Sequence, residues 1–245
     1  MQVAFIGDIH GNIDALEAVF RDIESWDIET VVCLGDIVGY GPEPGECARQ
    51  VAARADVTVM GNHEAMLLGL SAEHLRSLDA RVGAPLLLAR HQLSVAELTG
   101  LRELPIAAEI GDMVAVHASM DDPPAFHYIF ERAEARRHFE KQNCGISFHG
   151  HTHVPALWVK AGRTVHCLRP SGQPVVLNGD AQYAVNVGSV GQPRDGNPLA
   201  SYAIYDEKRK TLLHRRVAYD VRAAVQRFIE AGMPEENALR LLQGH

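Results

Sequence analysis

The sequence predicts an α/β fold, and two observations lead to that class. In the first half, short apolar runs that end in polar, glycine-bounded turns alternate with segments that have apolar residues at helical spacing. In the second half, short apolar runs follow one another with turns between them and no helices until the end. Alternating strands and helices form parallel sheets, whereas strands joined by turns form antiparallel hairpins. We therefore expect a parallel sheet followed by hairpins that complete a second sheet, in a single domain spanning residues 1–245.

The composition is that of an ordinary globular protein. Of the 245 residues, 47% are hydrophobic and 22% are charged, and the net charge is -8. This charge argues against a broad basic surface for nucleic acid, although a bound cation could still attract an anionic substrate. No apolar run is long enough to cross a membrane, and Met1 leads almost directly into the first strand, so we expect a cytoplasmic protein. Its four scattered cysteines are expected to be reduced and mostly buried: Cys33, Cys47, Cys144 and Cys167.

Three parallel strands are predicted at the start of the chain. They cover residues 3–6, 30–34 and 57–60, and helices over 13–26 and 42–54 connect them. The strands end in three similar turns: Gly7-Asp8-Ile9-His10, Gly35-Asp36-Ile37-Val38-Gly39 and Gly61-Asn62-His63-Glu64. Because ligands bind outside the carboxyl ends of the strands in an open α/β sheet, we expect these turns to form part of a binding site.

The rest of the chain supplies further strands and two more polar strand ends. Residues 65–104 are predicted to form a helical excursion of two or three pieces. A strand pair over 107–110 and 113–116 ends at His117, and a strand over 144–148 runs into His149-Gly150-His151-Thr152-His153, with a helix over 131–141 between them. Later strands are expected over 156–159, 164–168, 183–187, 199–205 and 211–217, followed by a closing helix capped by Asp220 and a short helix opened by Pro234.

The residues at the strand ends form a mixed set of oxygen and nitrogen donors. The set is Asp8, His10, Asp36, Asn62, His63, His117, His151 and His153. It is too rich for one tetrahedral zinc ion and lacks the thiolates of a structural zinc site. It suits two divalent ions that share a carboxylate, a centre that generates hydroxide and holds both oxygens of an in-line displacement. Manganese, iron, zinc, cobalt and nickel all remain open. For Asp8 and His10 taken alone, the alternative is that Asp8 caps the helix and His10 is a loop residue.

The polar turns resemble the five sequence blocks of the calcineurin-like metallophosphoesterases, in the family's order. The blocks are Gly7-Asp8-Ile9-His10, Gly35-Asp36-Ile37-Val38-Gly39, Gly61-Asn62-His63-Glu64, His117 and Gly150-His151-Thr152-His153. The stretch 186–194 also resembles the small bacterial and archaeal branch of that family. The resemblance implies a four-layer αββα sandwich of two mixed β-sheets flanked by helices. It also implies a dinuclear-metal-dependent hydrolase that acts on a small phosphate ester with a metal-bridging hydroxide as nucleophile.

The substrate is less well defined by this resemblance. A phosphodiesterase is the favoured interpretation, and a phosphomonoesterase or a dinucleoside polyphosphate hydrolase is the alternative. A third hypothesis is a scaffold of the same fold that has lost its chemistry. Such a scaffold is expected to have lost metal ligands and, in particular, the histidine of the third block, His63, whereas every block is intact in this sequence.

The resemblance also implies a role for each position. Asp8, His10 and His153 would bind one metal ion, whereas Asn62, His117 and His151 would bind the other. Asp36 would bridge both ions.

Beside these ligands, His63 is expected to act in catalysis together with Asn62 and Asp36. It would stabilise or protonate the leaving oxygen, and the alternative is a supporting role behind the ligands. Glu64 could orient His63 or favour the start of the next helix.

Tyr40 and Arg194 are the predicted substrate contacts. Arg194 could clamp a phosphate with two hydrogen bonds, or it could be a surface turn residue. The aromatic residues Phe126 and Tyr128 could form the wall of a leaving-group pocket or pack under a lid.

Overall fold

A computed structural model describes residues 1–245 and contains two mixed, six-stranded sheets, whose strands are labelled in chain order. The first sheet has the order β3-β2-β1-β11-β12-β9. Strands β1, β2 and β3 are parallel to one another, and β11 pairs antiparallel with β1. The bounds are β1 Gln2–Ile6, β2 Thr30–Cys33, β3 Val57–Thr58, β9 Val175–Val176, β11 Ala200–Asp206 and β12 Thr211–Val217.

The second sheet has the order β4-β5-β6-β10-β7-β8. Its central strands β5, β6 and β10 are parallel, whereas β4 and β7 pair antiparallel with their neighbours. The bounds are β4 Ala107–Ile110, β5 Met113–Val116, β6 Ile146–His149, β7 Ala156–Ala161, β8 Thr164–Leu168 and β10 Gln182–Asn186.

Nine α-helices flank the sheets. Their bounds are α1 Ile13–Ile23, α2 Pro44–Arg54, α3 Asn62–Gly69, α4 Ala72–Ser77, α5 Ala80–Gln92, α6 Val95–Arg102, α7 Arg132–Lys141, α8 Val221–Glu230 and α9 Glu235–Gln243. The predicted excursion of two or three pieces is wrong in number, because it contains the four helices α3 to α6. The side chains of Ser71, Asp79 and Ser94 each accept a backbone N–H and so begin a new helix. None of the helices combines the length and apolar character that crossing a bilayer requires.

The alternation of side chains along β1 explains the layered architecture. Val3 and Phe5 lie in an apolar cluster between the two sheets, whereas Ala4 and Ile6 lie in the cluster under α1 and α2. The ring of Phe5 stacks on Phe148 of the opposite sheet, with centroids 3.6 Å apart. A third cluster joins α7 to the outer face of the second sheet. The predicted αββα sandwich is confirmed.

The expectation that the later strands complete the second sheet is wrong for two of them. Strands β7, β8 and β10 join the second sheet, but β11 and β12 join the first. Strand β1 pairs with β2 on one edge only, so its other edge needs a partner, and β11 supplies one along residues 203–206. The short strand β9, which the sequence did not predict, then pairs with β12.

Candidate metal centre

The polar turns meet at one edge of the sandwich, as the strand order requires. The turn after β1 lies on the turn after β2, since Ile9 and His10 both donate backbone N–H groups to the Asp36 carbonyl, at 2.8 and 2.9 Å. The turn after β6 is tied to the first turn, because the His151 backbone N–H donates to Asp8 Oδ2 at 2.9 Å.

Five of these turn residues have a left-handed backbone. Positive φ angles are uncommon outside glycine and cluster where a functional site imposes them. The five residues and their angles are Asp8 (52°), His10 (51°), Asp36 (52°), His151 (67°) and His153 (60°).

One group of potential ligands consists of Asp8, His10, Asp36 and His153, all buried. Nδ1–H of His10 donates to the Val38 carbonyl at 3.1 Å, and Nδ1–H of His153 donates to the Gln192 carbonyl at 2.6 Å. Since a neutral imidazole carries one proton, both Nε2 atoms are left as acceptors. These two acceptors face each other at 3.1 Å, and His153 Nε2 lies 3.3 Å from Asp8 Oδ1. A set of lone pairs that converge in this way fits a cation between them.

The second group consists of Asp36, His117 and His151, with Asn62 beside them. Nδ1–H of His117 donates to the Leu34 carbonyl at 2.7 Å, so its Nε2 points into the group. There it lies 3.0 Å from Asn62 Oδ1 and 3.1 Å from His151 Nδ1. The other ring nitrogen of His151, Nε2, is buried without a hydrogen-bond partner, as is Asp8 Oδ1 in the first group. Buried polar atoms without partners are rare, and both of these lie among the potential ligands.

Asp36 belongs to both groups. Its Oδ1 accepts the backbone N–H of His63 at 2.9 Å, which fixes the carboxylate. Its Oδ2 lies 3.6 Å from His10 Nε2 in one group and 3.4 Å from His117 Nε2 in the other. A carboxylate oxygen in this position can contact ions on both sides.

The charge state of the rings follows from burial and from Asp36. Burial lowers the pKa of His10 well below its usual value, and it lowers the pKa of His151 to about 3. His117 differs. Burial disfavours its charged form, but the negative charge of Asp36 and a hydrogen bond to it raise its pKa to about 9. A cation bound there would take the place of the His117 proton.

His63 and Tyr40 lie against the first group. The His63 ring packs on His10, with centroids 4.7 Å apart, and its Nε2 is 4.0 Å from Asp36 Oδ2. Gly39 permits this position, because a Cβ there would come within 2.1 Å of His63 Nδ1. Tyr40 packs on His10 and His63, at 4.6 and 4.8 Å.

The guanidinium of Arg194 lies over the Tyr40 ring, 5.5 Å from its centroid. Its Nη2 donates to Gln192 Oε1 at 2.9 Å, and its backbone N–H donates to the His153 carbonyl at 3.1 Å. None of the ion pairs in the structure involves Arg194. The side chain thus presents an unneutralised positive charge beside the metal centre.

Glu64 holds the turn that carries Asp36, a role that the sequence did not predict. Its carboxylate accepts backbone N–H groups from Asp36, Ile37 and Val38, at 2.8, 2.8 and 3.1 Å, and from Gly61 at 3.0 Å. The bond to Gly61 does support the start of α3, as expected, but the other three hold the turn that carries Asp36. No spacing rule could reveal these contacts, because the two turns are far apart in sequence.

Three further histidines lie buried outside the two groups of potential ligands. His138 and His214 are buried, and burial lowers the pKa of each to about 4. His149 is the last residue of β6, and its Nδ1 accepts from the Asn186 amide at 3.2 Å. All four cysteines are free, with Cys33 and Cys47 buried.

Comparisons with known proteins identify the family and the fold of the chain. A protein-family model described as calcineurin-like phosphoesterase matches residues 1–155. An uncharacterized protein of Methanocaldococcus jannaschii is 34% identical over 99% of this chain and 98% of its own. The crystal structure of a metallophosphoesterase from Sphaerobacter thermophilus is 34% identical with a TM-score of 0.88, and the match covers 100% of this chain and 99% of that one. A symmetrical bis(5′-nucleosyl)-tetraphosphatase of Aliivibrio fischeri is 32% identical over 49% of this chain and 45% of its own.

The chain belongs to the calcineurin-like phosphoesterase family. Membership of this family supports an activity in which phosphate esters are hydrolysed with divalent metal ions. The clustered aspartates and histidines of this chain could bind such ions. The identification of the family from five short sequence blocks is confirmed by the family model and by the fold.

Proposed function

We propose that this protein is a phosphodiesterase that uses two divalent metal ions. The observation that carries the proposal is the position of Asp36 Oδ2 between His10 Nε2 of one group and His117 Nε2 of the other, at 3.6 and 3.4 Å, with the Nδ1–H of each ring bonded to a backbone carbonyl. The same observation counts against a non-catalytic scaffold, because both groups of potential ligands and the carboxylate between them are intact. On this proposal the whole chain, residues 1–245, acts as one domain, since β11 and β12 complete the sheet that carries Asp8 and Asp36.

The ligands follow from the two groups. Asp8, His10 and His153 would hold one ion, whereas Asn62, His117 and His151 would hold the other, with Asp36 shared. Bound divalent ions of this kind neutralise phosphate charge and lower the pKa of water, so that a nucleophile forms near neutral pH. Manganese, iron, zinc, cobalt and nickel all suit the donor set.

His63 assists departure of the leaving oxygen in this proposal. Burial lowers the pKa of His63, although the charge of Asp36 opposes that effect. A hydrogen bond from the ring to the leaving oxygen would stabilise the charge that develops there and allow His63 to act as general acid. The packing of His63 between Gly39 and His10 restricts its ring to the edge of the site.

Arg194 binds the phosphate, and Tyr40 holds Arg194 in place. A guanidinium without an acidic partner is suited to two parallel hydrogen bonds with phosphate oxygens. The resemblance of residues 186–194 to the small bacterial and archaeal branch of the family favours a diester over a monoester.

A dinucleoside polyphosphate hydrolase is the second candidate. The observation in its favour is the local 32% identity to a symmetrical bis(5′-nucleosyl)-tetraphosphatase, over 125 residues. That match spans about half of each chain.

A substrate panel tests the proposal. The metal-loaded protein is assayed with a bis-alkyl phosphate, the matching monoalkyl phosphate and a dinucleoside tetraphosphate, and kcat/KM is compared. We expect the highest kcat/KM for the diester. A higher value for the tetraphosphate would favour the second candidate, and a protein that hydrolyses none of the three with any of the five metals would contradict both.

A further inference from the structure

Tyr128 and Phe130 extend outward from the metal centre and have no role in the chemistry proposed above. The Tyr128 ring stacks on His151, with centroids 4.0 Å apart and an interplanar angle of 20°. The Phe130 ring stacks in turn on Tyr128, at 5.2 Å and 18°. Tyr128 is 45% exposed and Phe130 is 57% exposed. We call Tyr128 and Phe130 the aromatic platform.

The exposure of the aromatic platform is unusual for its position. A single exposed apolar side chain is normal, but two stacked rings that continue outward from a polar site form a contiguous apolar surface. Aromatic rings attract other planar rings through offset stacking, beyond the area that they bury. The platform therefore has the chemistry to hold a planar group next to the metal centre.

The chain that carries the platform is firmly anchored. Ile129, between the two exposed rings, is buried in the apolar cluster under α7. The preceding loop is tied to the same helix, because the Met120 backbone N–H donates to His138 Nδ1 at 3.0 Å. The Phe130 backbone N–H donates to Glu134 Oε2 at 2.6 Å. A surface fixed in this way loses little conformational entropy when it binds a ligand.

Charge on the other side of the site complements the platform. The guanidinium of Arg194 lies over the Tyr40 ring and takes part in no ion pair, so it supplies a free positive charge at the site. A ligand that reaches from Arg194 to the platform would need an anionic group at one end and a planar ring at the other.

We propose that the aromatic platform binds a planar ring of the substrate, so that the substrate is a phosphate ester carrying a nucleobase or an aryl group. This inference rests on the proposed function and specifies its substrate class. Tyr128 also positions His151 by stacking on it, so its replacement would disturb the metal centre as well. Phe130 does not touch a candidate ligand and gives the cleaner test.

The experiment measures binding by isothermal titration calorimetry to the protein loaded with manganese. Adenosine 5′-monophosphate, phenyl phosphate and ribose 5-phosphate are compared, because all three have a phosphate and only the first two have an aromatic ring. Stacking of one base on an aromatic side chain predicts a preference of about 5- to 150-fold for adenosine 5′-monophosphate over ribose 5-phosphate. In Phe130→Ala we expect most of that preference to be lost, with ribose 5-phosphate affinity unchanged.

Val176→Ala is the matched control, since Val176 is 65% exposed on β9, at the end of the first sheet. It should keep the full preference. Tight binding of phenyl phosphate as well would identify a general aryl site, and a preference confined to the nucleotide would identify a nucleobase site. Equal affinity of the wild-type protein for all three ligands would overturn the proposal, as would an unchanged preference in Phe130→Ala. Failure of the proposed function would be distinct, because it would show as absence of ester hydrolysis whatever the ligands bound.

Discussion

The two ligand groups around Asp36 are built differently. In the first, the rings of His10 and His153 are each fixed by an Nδ1–H bond to a backbone carbonyl, and their side chains are at most 2% exposed. In the second, only His117 has such a bond. His151 has no carbonyl partner, and its ring is held by stacking on Tyr128, which belongs to a loop.

The two candidate metal positions therefore differ in how firmly their ligands are oriented before a metal ion binds. The first group is set by turns that hydrogen-bond to one another at the edge of the first sheet. The second also depends on side-chain packing from the loop after β5. Ligands that are already oriented bind metal more tightly, so we expect the ion held by the first group to have the higher affinity.

The largest effect is expected from the residue that the two groups share. Asp36→Asn removes the charge that both ions would contact, so hydrolysis should fall by about 10⁴-fold or more. Asp8→Asn, which affects one group only, should lose less. Turnover and metal content of both variants are to be measured. An Asp36→Asn protein with two ions per chain and near-normal turnover would show that the groups do not share this carboxylate.

Replacement of His63 should lower turnover without loss of metal from either group. His63→Asn should keep two ions but lose about 10²–10⁴-fold in turnover on an alkyl diester, whose leaving oxygen needs a proton. The loss should be much smaller on a nitrophenyl diester, because nitrophenolate leaves without protonation. Turnover on the two esters and elemental analysis are the measurements. Equal losses on both esters would indicate charge stabilisation or positioning instead of proton transfer.

Low pH should reduce the free energy of unfolding through His138, which anchors the loop that carries Tyr128. Burial lowers the pKa of His138 to about 4, below the value of about 6.5 for an exposed histidine. The unfolded chain therefore binds more protons between these pH values, and the free energy of unfolding falls as the pH drops through that range. His138 should contribute about 3 kcal/mol to the fall. Urea titrations at pH 7 and pH 4 should show a smaller fall in His138→Gln, and an equal fall would contradict this origin.

The smallest effect tests the stacking contact itself. Tyr128→Leu removes the ring that holds His151 and should weaken one ion by about 10-fold, the lower end of the range for residues that orient a ligand. The other ion should bind as before. Calorimetric titration with manganese would show two separated phases, of which only the weaker one shifts. A shift of both phases, or of the tighter one alone, would contradict the contrast between the groups.

Much of this site could be predicted because its residues occupy short turns after apolar strands. The turns with Asp8, Asp36 and Asn62 follow three parallel strands, so local sequence and sheet topology place them together. The assignment of each later strand to one of the two sheets was harder to predict. Nothing in the local sequence of β11 indicates that it pairs with β1 and not with a strand of the second sheet. The role of Glu64 depends on the Asp36 turn approaching α3, a contact that exists only in three dimensions.

The most direct test of the shared carboxylate is an electron paramagnetic resonance titration with Mn²⁺. Two manganese ions that share Asp36 lie close enough to couple magnetically, since such pairs sit about 3.5–4 Å apart. We predict the signal of an isolated ion at the first equivalent and the spectrum of a coupled pair at the second. Asp36→Asn should not give the coupled spectrum at any ratio. Two isolated-ion signals in the wild-type protein at two equivalents would contradict the account.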